Sequence, residues 1–153
     1  MPSTFLGNYM DEDVVVWDDS FIVGYALLDD QHKKLVAMTN ELIRGCKEGG
    51  AAAQESFGQA FEKAAEYAKT HFADEEWYLT HVLFPDLESH KKQHHKFLFD
   101  VVNLANEVES GNTAPIEMVR FLKNRLLNHI AVSDKQYAPY MKKIGRTGLG
   151  TLL

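Results

Sequence analysis

The 153-residue sequence contains one cysteine, Cys46. No intrachain disulfide can therefore hold the fold, which must come from a packed core. A chain of this length can build one. Cys46 falls among apolar residues at helical spacing, which makes it a small buried hydrophobe. No apolar run approaches the roughly 20 residues that a membrane span needs. The first 13 residues, MPSTFLGNYMDED, lack a basic start followed by an apolar run. No signal peptide is expected, and the expected compartment is the cytoplasm. Positive charge is scarce: 16 Lys and Arg face 22 Asp and Glu, a net charge of −6. Basic clusters such as Lys91-Lys92 and Lys142-Lys143 are only doublets, so a nucleic-acid partner is not expected. The tail GRTGLGTLL has glycines but no helix after it, so it is no phosphate loop. Internal repeats and low-complexity tracts are lacking as well.

The sequence does have periodicity. Between its few breakers, apolar residues recur at steps of three and four, the signature of amphipathic helices. The first segment starts near Asp29 or Asp30, acidic residues suited to a helix start, and stops at Gly49-Gly50. Its stripe runs Leu35, Val36, Thr39, Leu42, Ile43, Cys46. A second segment runs from about Ala52 to Pro85, a helix terminator. A third runs from about Asp86 to Ser110, ahead of Gly111. The fourth opens after NTAP, with Pro115 in its first turn. A shorter piece, SDKQYAPYMKKIG, follows and is broken by Pro139. Ahead of the first helix, VVVWDDSFIVGYALL is β-branched and aromatic without a partner strand, and reads as an ordered extended arm. The expected fold is all-α. It is an antiparallel up-down-up-down four-helix bundle with an N-terminal extended arm and a short C-terminal helical piece. Residues 1–13 and 145–153 would be tails around a bundle of residues 14–144.

The stripes are interrupted by polar residues. Stepping back three from Leu35 reaches His32. The second stripe carries His71 and Glu75, the third His90 and His94, the fourth His129. Five of the seven histidines lie on buried faces. His81 and His95 do not: each is rotated off its stripe, by about 280° and about 100°. Those two are expected in solvent or at bundle edges. A single histidine on an apolar face is ordinarily a hydrogen-bonded core residue. Five histidines and a carboxylate converging on one core would cost several kcal/mol unless something satisfied them together. A metal centre does so, because imidazole and carboxylate are first-row metal ligands.

The spacings agree. HFADE places His71 and Glu75 at i, i+4, and HKKQH gives His90 and His94 the same relation, so each pair shares a helix face. HIAVSD places His129 and Asp134 at i, i+5, off-face by about 140° in an ideal helix. Asp134 reaches the site only through a locally wider turn of the π type, or from the side. Seven ligands are too many for one zinc, which takes four in a structural site and three plus water in a catalytic one. They fit two irons bridged by carboxylates, with a place left for a small molecule.

In DDQHKKL, HFADE, HKKQH and HIAVSD the sequence resembles the hemerythrin family, and specifically the bacteriohemerythrins. WDDSF at 17–21, the acidic pair 75–76, Phe84-Pro85 and DKQY at 134–137 agree with that pattern, and the resemblance covers roughly residues 14–144. It implies that His90, His94 and His129 hold one iron, that His32 and His71 hold the other, and that Glu75 and Asp134 bridge them with an oxo or hydroxo group. Molecular oxygen would bind as hydroperoxide at the iron with two histidines. One departure concerns the pocket wall. Many relatives have tryptophan four residues before the last histidine; here Arg125 stands there, while Leu126 matches a pocket-lining leucine. Arg125 either packs its stem and reaches water with its guanidinium, or edges the oxygen pocket and admits water.

The resemblance implies reversible oxygen binding for carriage, storage or delivery, without catalysis. The alternatives are an oxygen or redox sensor acting through a separate partner, and a di-iron peroxide or nitric oxide reductase. No nucleic acid or membrane enters any of these readings.

Overall fold

The computed structural model describes residues 13–46 and 50–147. Its four long helices are α1 (Ala26–Gly45), α2 (Ala51–His81), α3 (Leu87–Glu109) and α4 (Pro115–Asn128). Each packs on its neighbours in sequence and α1 closes the ring against α4, the up-down-up-down arrangement expected. Helix α5 (Ala138–Thr147) follows α4 through an irregular turn described below. No strand occurs among the described residues. No described helix is long and apolar enough to cross a membrane.

Several boundaries depart from the sequence reading. Helix α1 begins three residues before Asp29, at Ala26. Asp29 falls in its first turn, as an acidic residue there should, but does not cap it. Its carboxylate reaches back to accept hydrogen bonds from the Val23 and Gly24 amides, at 2.8 and 3.2 Å. It ties the arm to the first helical turn, while Gly24 takes the positive φ that the bend requires. The same helix ends at Gly45 rather than Gly49-Gly50, since glycine already weakens it there; residues 47–49 lie outside the described residues. Helix α2 ends at His81, ahead of Pro85. Phe84 N–H closes the end on Leu79 O, and exposed Leu83 takes a left-handed φ of 56° that usually falls to glycine. Pro139 does not break the last piece. It is the second residue of α5, where a missing amide proton costs no helical hydrogen bond. Residues 1–12 and 148–153, most of the two expected tails, lie outside the described residues.

The arm is extended apart from one turn at Asp19–Phe21. Asn40 holds it from α1 by accepting from Val15 N–H and donating to Val15 O, at 2.8 and 2.9 Å. Phe21 and Val23 are buried. The apolar core falls into three clusters. One, at the far end of the bundle, includes Leu42, Ile43, Val101, Met118, Val119 and Leu122. Cys46 packs at its edge, half-buried rather than fully buried, and burial pushes its thiol up to about 11. The middle cluster holds Leu35, Phe72, Leu126 and Ile130. The third holds Leu28, Leu79, Phe84, Tyr137 and Met141. Burying each such large side chain stabilises the fold by about 1.5–3 kcal/mol. That margin offsets a group of buried polar residues, among them His71, Glu75 and Asp134.

Candidate metal centre

Three helices and one irregular turn deliver these polar residues. His32 comes from α1, His71 and Glu75 from α2, His90 and His94 from α3. The i, i+4 pairs stack along one face of each helix. His129 and Asp134 need a different device. Over His129–Ser133 the chain widens into a π turn, closed by a hydrogen bond from Asp134 N–H to His129 O. The wider turn brings position i+5 round to the face of position i. Asp134 therefore points inward and is fully buried.

The structure brings all seven sequence-selected residues to one place. Two overlapping sets converge: Glu75, His90, His94, His129 and Asp134, and His32, His71, Glu75 and Asp134. Every histidine presents its Nε2. Glu75 Oε1 lies 2.7 and 3.0 Å from Nε2 of His90 and His94. Its Oε2 lies 3.3 and 3.2 Å from Nε2 of His32 and His71. Asp134 divides in the same way. Its Oδ1 is 3.0 Å from His90 and from His129, and its Oδ2 is 3.1 Å from His32. Each carboxylate thus turns one oxygen to each flank.

These close approaches are not ordinary hydrogen bonds throughout. Both Asp134 oxygens and His32 Nδ1 are buried without an aligned hydrogen-bond partner. His94 Nε2 and His129 Nε2 face each other at 3.1 Å, a contact in which at least one ring must offer a lone pair. Carboxylate oxygens and ring nitrogens crowded on a common space, with both Asp134 oxygens lacking an aligned partner, are what a cation satisfies. The electrostatics agree. Burial alone would lower the histidines, but Asp134 and Glu75 outweigh it, raising His32 and His90 to about 9 and His129 to about 10. Burial opposes ionisation of Glu75, yet His71 and the other imidazoles hold it well below the usual carboxylate range. Positive charge is favoured there. The donor set therefore fits a metal.

Four outer residues were not singled out from the sequence. Gln31 accepts from His71 Nδ1 at 2.7 Å and donates to Asp74 at 2.8 Å. Glu76 takes Nδ1–H of His94 at 2.8 Å. Gln93 takes that of His129 at 3.1 Å. With Nδ1 protonated, each of these rings keeps its Nε2 lone pair for the interior. Tyr137 donates its hydroxyl to Glu75 Oε2 at 2.8 Å. All four lie inside motifs that carry the family resemblance: Gln31 in DDQHKKL, Glu76 in the acidic pair 75–76, Gln93 in HKKQH and Tyr137 in DKQY.

His81 is exposed, stacked on Trp77 with ring centroids 3.7 Å apart, and bonded to Trp77 O. His95 is exposed too, and neither belongs to the convergent sets. Leu126 is buried beside Phe72 and Leu35. The Arg125 guanidinium lies at the surface, 3.3 Å from Asp100 and over the Phe121 ring. It borders an open cleft that reaches His94 and His129.

A four-helix bundle whose interior gathers five histidines between two shared carboxylates defines a histidine-rich metalloprotein. Residues 23–141 match the hemerythrin HHE cation binding domain, and the chain belongs to the hemerythrin family. It is 36% identical over 121 residues to the hemerythrin-like protein of Naegleria gruberi, covering 79% of this chain and 88% of that one. It is 28% identical over 129 residues to the bacteriohemerythrin of Stenotrophomonas maltophilia (strain R551-3), covering 84% of this chain and 82% of the relative. The solved structure of a wild-type hemerythrin superposes with a TM-score of 0.74 at 26% identity, over 82% of this chain and 96% of the other.

Proposed function

We propose that this chain is a non-haem di-iron protein that binds molecular oxygen reversibly. The division of the two carboxylates carries the reading: one oxygen of Glu75 and one of Asp134 serve each flank. His90, His94 and His129 with Oε1 and Oδ1 offer five donors to one iron. His32 and His71 with Oε2 and Oδ2 offer four to the other. The flank with two histidines offers one donor fewer, so a small ligand would find room on an iron held there. A di-iron centre supplies the electrons that hold oxygen.

The chain's own residues provide the surroundings. His32 and His71 are buried, so water does not reach that flank from the surface. Leu35, Phe72 and Leu126 form the adjoining apolar wall. A narrow, largely apolar crevice of about 50 Å³, edged by Thr39 and Lys123, runs from Leu35, Ala68 and Leu126 between the helices. Such space suits an apolar diatomic better than water. Tyr137 and the Gln31–Asp74 pair hold Glu75 and His71 in place. Leu126 is the pocket-wall residue on this reading, and Arg125 controls water at the opposite edge.

The test is iron analysis followed by optical spectra of the anaerobically reduced protein, before and after oxygen. Two irons per chain and a charge-transfer band that disappears when oxygen is removed are expected. Immediate conversion to a stable oxidised form, with no reversible band, would overturn the reading and favour turnover.

A further inference from the structure

Beside the centre, a cleft of about 460 Å³ opens between α3 and α4. Its character is unlike that of the chain as a whole. The protein carries a net charge of −6, yet the cleft is lined by Lys92, Lys96 and Arg125 and by no acidic residue. Lys92 and Lys96 stand one turn apart on α3, and Arg125 faces them from α4. Asp100 sits behind the rim, 3.1 Å from Lys96 and 3.3 Å from Arg125. It neutralises one of the three charges. Lys92 pairs with no carboxylate among the described residues. The cleft therefore keeps about two positive charges against a low-dielectric wall, where their field is focused.

Its floor is apolar and aromatic, with Phe72, Phe97 and Leu126 beside the rings of His94 and His129. Gln93 and Asn128 add side-chain amides. The volume falls in the range of small-molecule sites. It is far larger than an inorganic ion needs. Cations on two facing helices above a partly apolar floor suit a compact organic molecule with more than one carboxylate.

We propose that this cleft is a binding site for a small organic polycarboxylate, seated over the exposed edge of His129. Lys92 and Arg125 take its carboxylates from opposite sides, Gln93 and Asn128 donate from their amides, and its carbon skeleton rests on Phe97 and Leu126. The seated anion covers the least buried of the seven inner residues, whose side chain is 12% exposed. Water is thereby displaced from the flank with three histidines. That consequence rests on His129 as a metal ligand; anion binding itself does not.

The probe is tricarballylate, a tricarboxylate without the chelating hydroxyl of citrate, titrated calorimetrically into the iron-loaded protein at low ionic strength, with sodium chloride of equal ionic strength as the blank. A dissociation constant of about 1 mM or tighter is expected. Lys92→Glu should weaken it about tenfold, and Asp100→Asn should tighten it several-fold by removing the internal competitor. Lys34→Glu, an equal charge change at an exposed site on α1, should leave it unchanged. No saturable binding to the wild-type chain would overturn the proposal. So would equal weakening by Lys92→Glu and Lys34→Glu, since that would be net charge alone. Iron content is measured on the same samples. A chain that fails to hold two irons before the titration yet binds tricarballylate overturns the di-iron reading and leaves the cleft proposal standing.

Discussion

The two flanks of the centre share their carboxylates, and Phe72 and Leu126 lie between them, but they differ in their access to solvent. On one side His32 and His71 are sealed, with Gln31 and Asp74 locking His71 from behind and Leu35, Phe72 and Leu126 nearby. On the other, His129 is partly exposed at the floor of a cationic cleft, and its Nδ1 partner Gln93 is itself in solvent. The difference teaches how one bundle supports two environments within a few ångströms. The sealed side is enclosed by α1, α2 and the arm, where Phe21 and Val23 add cover. The open side is where α4 gives way to the π turn. That turn brings Asp134 inward but spreads the backbone beside the cleft that Asn128 and Ser133 line.

The largest effect should come from the residue that belongs to both flanks. Glu75 has an oxygen on each side, so Glu75→Ala removes donors from both sets at once and leaves five imidazoles with one carboxylate. Metal analysis should show loss of most of the iron. Full loading of that variant would mean that the flanks are independent sites.

A smaller pair of effects should separate the flanks. Gln31→Leu deletes the half-buried acceptor for His71 Nδ1–H on the sealed side, where water has less access than beside exposed Gln93. Iron affinity should fall about 10- to 100-fold, as for other outer partners of metal-binding histidines. Gln93→Leu makes the corresponding change at His129, but solvent can bridge to that ring, so about threefold is expected. Competition with a chelator measures both. Equal losses would erase the distinction between a sealed and an open flank.

Arg125→Trp sharpens the comparison at the open edge. The guanidinium is already anchored at the surface by Asp100 and Phe121, so its removal should not disturb the bundle. An indole there would roof the cleft beside His94 and His129 and dry it. The oxygenated form should then decay about twofold more slowly in stopped-flow measurements at equal iron content, a barrier change of about 0.4 kcal/mol. Unchanged or faster decay would confine Arg125 to its surface ion pair.

The legibility of these features in the sequence followed their range. The four helices were readable because each buries one stripe, and stripes are a local pattern. His32, His71, Glu75, His90, His94 and His129 were readable for the same reason, as polar residues on apolar faces. Asp134 was not placed by spacing alone, since five residues do not close on an ideal helix; the alternative of a wider turn is the one that the structure takes. Asp29 and Pro139 were misread because their roles depend on partners rather than on sequence distance. The Asp29 carboxylate serves amides five and six residues back, and Pro139 tolerates a helix that starts one residue earlier. Gln31, Gln93 and Tyr137 carry no periodic mark at all. Only the packing of separate helices shows that their polar atoms meet the inner ring.

The smallest expected effect is none, and it tests whether the two flanks account for every histidine that matters. His81 stacks on Trp77 and bonds to a carbonyl of its own helix, and His95 stands in solvent one residue beyond His94. Replacing both with glutamine keeps polar, helix-compatible side chains at exposed positions, where substitutions usually change stability by less than about 0.5 kcal/mol. The rotation that takes each off its stripe, about 280° for His81 from His71 and about 100° for His95 from His94, also takes it away from the carboxylates. Iron content and the oxidised optical spectrum of the double variant should therefore equal those of the parent chain. Loss of iron would mean that α2 or α3 presents a different face in solution, and the division into a sealed and an open flank would have to be redrawn around that face.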